Sequence, residues 1–193
     1  MKADAIFQVT KALRLRLEQA ALAAGTGNTV FVGPPDDADA AGASLILFLY
    51  RVAPNPSLRN REHRVPAPLP PPPVVVFHNS LPLDLYYLVT VGTLPGGEEP
   101  LLRVLGFAMQ ALQLDPELTG PDTQYEPVHV SLEPLTTDET SRIWALFPTA
   151  NYRTSIAYLA TPVWIDPQLP AAAGKPVISD SLDVGARVAT AGD

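Results

Sequence analysis

The chain of 193 residues contains no cysteine, which removes disulfides, thiolate nucleophiles and zinc–thiolate sites together. Histidine is scarce as well. His63, His78 and His129 are the three present, and none stands at the i+3 or i+4 spacing of paired metal ligands on a helix. Apolar runs are short, such as Leu45–Tyr50, far below the roughly 20 residues that span a bilayer. The start, Met1-Lys2 with Asp4 close behind, lacks the apolar stretch and cleavage site of a secretory signal. Synthesis in the cytoplasm, with no signal peptide and no membrane insertion, is therefore expected. Positive charge is also in deficit, with 13 Lys and Arg against 20 Asp and Glu and a net charge of −7. That balance argues against a nucleic-acid backbone as partner.

Signatures of chemistry are equally sparse. No serine stands in a G-x-S-x-G turn. His78 precedes Asn79 and Ser80, which reads as a polar turn before a strand rather than a hydrolytic group. His129 alternates with Val128 and Val130 and is expected at the surface of a strand. Gly96-Gly97 stands before a helix start like a phosphate cradle, but Glu98 and Glu99 occupy the anion position. Asp36/Asp37 and Asp138/Glu139 fall in a turn and a helix cap, where acids are common for structural reasons. The expectation is a protein that is not an enzyme and needs no catalytic residue, metal or cofactor.

What is abundant is proline, at 22 residues, roughly twice the average share. The prolines gather at 34–35, 54–56, 66–73 and 162–176, leaving ordered segments between stiff connections. Ile6, Val9, Leu13, Leu17 and Ala20 have the spacing of an amphipathic helix over 4–23, with Asp4 as its cap. Thr29–Val32 reads as a short strand. Ser44–Val52, apolar at successive positions, reads as a central strand covered on both faces. Residues 53–73 show no periodicity and read as a long loop. Leu81–Val91 is a strand and Glu98–Leu114 a helix whose first glutamates suit the positive end of its dipole. Val128–Leu132 is a strand. Thr136 to Glu139 forms a capping box, opening a short helix that buries Ile143, Trp144 and Phe147. Ser155–Ile165 is the last strand.

The predicted fold is α/β (α+β): a mixed sheet of about five strands flanked by three helices. Residues 1–165 make the domain and 166–193 an extended C-terminal arm. Val177, Ile178, Leu182, Val184 and Val188 give that arm apolar side chains, which need something to dock on. Arg51, Arg59, Arg61 and Arg64 form the one basic cluster, with His63 and Glu62 among them. It reads as a solvated loop or a contact for an acidic protein. These two sets are the candidate partner contacts. The proline run at 66–73 is either a stiff spacer or a polyproline ligand.

One stretch is distinctive: Leu47-Phe48-Leu49-Tyr50-Arg51-Val52-Ala53-Pro54-Asn55-Pro56-Ser57-Leu58-Arg59-Asn60. Further segments follow it in order. They are Leu81–Thr90, then Leu101-Leu102-x-x-Leu105-Gly106-x-Ala108-Met109-Gln110-Ala111-Leu112, Trp144-x-x-Phe147, and Tyr152-Arg153-x-Ser155-x-Ala157-Tyr158. Together, from about residue 3 to 165, the chain resembles the N-terminal domain of cap, or tail-terminator, proteins of contractile phage-tail-like injection systems. The resemblance implies a bacterial particle component that forms a ring, a homohexamer, on the last layer of tube and sheath. There it stops tube growth and anchors the sheath at the end distal to the baseplate. Its partners would be further copies of itself and the sheath and tube subunits, with no nucleic acid. A stand-alone module that binds a peptide along its sheet edge is the other function compatible with the residues.

Overall fold

The computed structural model describes residues 3–27, 29–66, 74–94 and 97–169. The elements run α1 (Ala5–Ala23), β1 (Val30–Val32), β2 (Leu45–Pro54), β3 (His63–Pro66), β4 (Val74–Phe77), β5 (Leu81–Val91), α2 (Glu99–Leu114), β6 (Glu117–Leu118), β7 (Val128–Glu133), α3 (Thr137–Trp144) and β8 (Ser155–Ile165). Six strands form one sheet in the order β1-β2-β5-β8-β7-β6, while β3 and β4 form a separate two-stranded ribbon. β1 runs parallel to β2, and every other pairing is antiparallel. The main sheet therefore holds one strand more than the periodicity predicts, the addition being the two-residue β6.

Periodicity explains the thick side of the molecule. In α1 the buried positions are Ala5, Val9, Leu13, Leu17, Ala20 and Ala21, a stripe along one helix face. In α2 they are Leu101, Val104, Leu105, Ala108 and Leu112. Both helices pack on the same face of the sheet, against Leu45 and Leu47 of β2, Leu83, Leu85, Tyr87 and Val89 of β5, and Tyr158 and Ala160 of β8. Tyr87 is wholly buried, and its hydroxyl and the Thr10 hydroxyl of α1 are 2.8 Å apart in a hydrogen bond. Burial pushes its pKa far above the ordinary phenol value. At the end of β5, Gly92 leaves no room for a side chain, because a Cβ there would stand 1.7 Å from the Ala43 carbonyl oxygen.

The opposite face is thinner. Trp144 of α3 and Phe147 just beyond its end cover part of it, meeting Leu88 and the half-buried Phe48 and Tyr50. Thr136 caps α3 as expected: its hydroxyl accepts from the Glu139 amide, and the Glu139 carboxylate accepts from the Thr136 amide. Asp4, in contrast, makes no side-chain cap on α1; its carboxylate accepts from Gln8 Nε2 instead. Two expectations need correcting. The stretch 53–73 is not loop throughout, since β2 continues to Pro54 and the ribbon starts at His63. The second half of β2 is not covered on both faces either, because Arg51 and Val52 are exposed. The predicted C-terminal arm from Pro170 onward lies outside the described residues.

Candidate functional site

Among the described residues, several buried polar side chains, His63, Ser80 and Asp84 among them, gather where β2 ends, β5 begins and β8 ends. A bulge between Leu49 and Arg51 shifts the register of β2, so that Arg51 stands opposite Tyr86. The Arg51 guanidinium sits 4.8 Å from the Tyr86 ring centre, a stack worth about 0.5–1 kcal/mol at an exposed site. Tyr50 tilts against the same ring at 6.1 Å. Burial, reinforced by the negative charge of Glu133, pushes its pKa up to about 12.

Past Pro54 the chain turns on Asn55. Its carboxamide oxygen accepts from the amides of Ser57 and Leu58 at 3.0 and 3.1 Å, the local closure that makes asparagine a turn residue. Its Nδ2 donates to Asp84 at 2.9 Å and to Thr161 Oγ1 at 3.2 Å, and Thr161 donates to the same Asp84 oxygen. Asp84 is buried. One side chain thus fastens the turn to β5 and β8 together. Arg59 and Arg61 lie on that turn, both exposed, with the Arg61 amide donating to the Leu58 carbonyl.

The next node is His63. Its ring stacks on Trp164 at 4.5 Å and 8° and lies against Phe77 at 6.3 Å. Nδ1 is 2.7 Å from the Asp166 carboxylate and Nε2 is 3.2 Å from that of Glu126. Ser80 donates to the same Asp166 oxygen at 2.7 Å. Burial opposes the charged ring, but the two carboxylates outweigh it, so the His63 pKa stands above its ordinary 6.5. Burial likewise opposes the Asp166 carboxylate, yet hydrogen bonds, those of Ser80 and His63 among them, hold its pKa below the usual 3.8.

The sequence places His63 in a basic loop; the structure buries it between two acids. Neither Glu126 nor Asp166 carries any local signal of this role. A buried histidine with Phe77 facing it across the ribbon is a pattern that emerges only once β3 and β4 are paired. Among the described residues, Asp166, Glu126 and His63 form a group of metal-ligating types whose donor atoms come within 4.8 Å of one another. Each ring nitrogen already faces a carboxylate, so a cation would have to displace one of those contacts; a proton suits this geometry better. Ser80 donates to Asp166, not to an imidazole, so these groups lack the serine–histidine hydrogen bond of a hydrolytic triad.

The four arginines do not share one environment. Arg51 is stacked on Tyr86, Arg64 pairs with Glu62 at 3.0 Å, and Arg59 and Arg61 stand on the Asn55 turn. His78 is exposed, with Nδ1 3.3 Å from Glu62, and His129 is exposed on β7 opposite Thr161. Val177, Ile178, Leu182, Val184 and Val188 lie outside the described residues.

The model of a protein family described as the Pvc16 N-terminal domain matches residues 8–179. No curated protein matches the chain in sequence. Among solved structures, the chain is similar to the sheath/tube terminator of PVC, an extracellular contractile injection system, in its extended state. Identity is 17%, the TM-score is 0.58, and the match covers 95% of this chain and 65% of that one. The chain thus spans just under two thirds of that protein's length. It is also similar to the tube-terminating cap of the anti-feeding prophage, at 19% identity and a TM-score of 0.49, over 80% of this chain and 55% of the cap. At these identities the first likeness is one of fold.

Proposed function

The chain belongs to the Pvc16 N-terminal domain family, and from that premise we propose that it is a structural cap of a contractile injection system. In this reading it acts without catalysis. Copies of it close into a ring, a hexamer, on the last layer of tube and sheath, stop further tube addition and anchor the sheath there. The family match over most of the chain carries the proposal, and the terminator fold of the PVC protein supports it.

A terminator needs one face that fits the growing end and another that refuses the next subunit. Exposed apolar side chains such as Phe7, Leu114, Leu146 and Tyr152 suit burial between copies. Arg51, Arg59, Arg61 and Arg64 are the proposed contacts to acidic tube or sheath subunits. The segment 166–193 is the proposed arm, pairing through Val177, Ile178, Leu182, Val184 and Val188 with a neighbouring cap or sheath subunit. A truncation that tests the arm should retain Asp166, because its carboxylate holds His63 and Ser80.

Production of the particles with and without this chain tests the role. With it, tubes end at one length and the sheath stays attached when viewed by electron microscopy. Without it, tubes should vary in length or lose their sheath. Particles of normal length and full sheath in its absence would refute the cap.

A further inference from the structure

We propose that protonated His63 is a clasp: it pins the β3–β4 ribbon to the body of the domain, and its deprotonation at alkaline pH releases the ribbon. This holds whether or not the chain caps a tail, since it concerns the isolated protein.

The ribbon shares no backbone ladder with the main sheet. Among its described side chains, His63 is the buried one, while Arg64, Val65, Val74, Val75, Val76 and Phe77 are exposed or half-exposed. Among the described side chains of the ribbon, the ion-paired attachment to the body therefore runs through this ring. Trp164 of β8 covers one face of that ring, Asp166 beyond β8 meets Nδ1, and Glu126 before β7 meets Nε2. Glu126 and Asp166 each make a further contact as well. The neighbouring charges on the ribbon side are Glu62, Arg64 and His78, and these engage one another on the exposed side of the ribbon. Lys11 and Asp122 pair with each other at 2.9 Å near the Glu126 segment. A ring with two carboxylate acceptors is held by both only when it carries both protons.

The direction of the pH effect follows. His63 has a higher pKa folded than unfolded, so its stabilisation is complete below the ordinary 6.5 and fades as pH rises through the folded value. Asp166 sets the acid limit. Its contribution is present above 3.8 and is lost as pH falls through its depressed value.

Amide exchange of the full chain, corrected for intrinsic rates, tests this at about pH 6 and about pH 9. Relative to β5 amides, protection of 63–65 and 74–77 should fall by about tenfold, as expected for losing one charge-assisted hydrogen bond. His63→Phe should keep the stack, show low ribbon protection at both pH values and lose the pH dependence. Glu126→Gln, which alters no volume, should move the loss to lower pH; if His63→Phe does not fold, this variant decides alone. Unchanged wild-type protection between the two pH values would overturn the clasp, and so would an unmoved transition in Glu126→Gln. Restoration of protection at pH 9 by zinc ions would overturn it too, by making the cluster a metal site.

Discussion

The two ends of the sheet are built on different principles. Under α1 and α2 the contacts are apolar and shared among many residues: Val9, Leu13, Leu17, Leu85, Val89, Val104 and Ala160 are all fully or almost fully buried. At the edge where β2 and β8 end and β5 begins, cohesion depends on a few side chains with defined partners, Asn55 with Asp84 and Thr161, and His63 with Glu126 and Asp166. The first arrangement tolerates changes that keep volume. The second does not, because removing one partner strands another polar group in a buried place.

The largest effect should come from breaking the apolar end. Leu17→Ala removes a fully buried side chain from the helix–sheet interface and should cost about 2–5 kcal/mol, read as a lowered denaturant midpoint with an unchanged slope. Loss under about 1 kcal/mol would mean that the cavity collapses and that the packing is looser than the burial indicates. At the polar end, Asn55→Ala should cost about 1–3 kcal/mol. It should also increase proteolysis after Arg59 and Arg61 while leaving α1 and α2 protected; equal loosening of both ends would erase the distinction. The smallest effect on stability should come from Arg59→Glu with Arg61→Glu, within about 0.5 kcal/mol as for other exposed positions. If these residues meet an acidic partner, attachment to assembled tails should weaken and become more salt-sensitive; unaltered attachment would shift attention to the arm.

The same division governs what the sequence makes legible. α1, α2, β5 and β8 are evident because Leu13, Leu17, Leu105, Leu112 and the alternating Leu83, Leu85, Tyr87 and Val89 repeat at the period of their element. The Thr136 cap is equally local. By contrast, β3 and β4 are four residues each and flank a proline run, so neither length nor periodicity marks them. His63 stands beside Arg61, Glu62 and Arg64 and takes on their character in the sequence, since its partners lie far along the chain. Asn55 is conspicuous within Ala53-Pro54-Asn55-Pro56, but nothing local tells that it binds Asp84 and Thr161. Apolar contacts declare themselves by repetition; polar contacts between distant residues do not repeat.

The strand order carries a consequence for synthesis. β5 lies at the centre of the sheet, yet one of its two neighbours is β8, so Tyr87 waits for Tyr158 and Leu85 for Ala160. Until β8 leaves the ribosome, one edge of β5 stays open and α1 lacks part of the surface it covers. Pairings so remote in sequence close slowly, and an open apolar edge in the meantime invites association with other chains. The timing of β8 therefore sets how long the nascent protein is vulnerable.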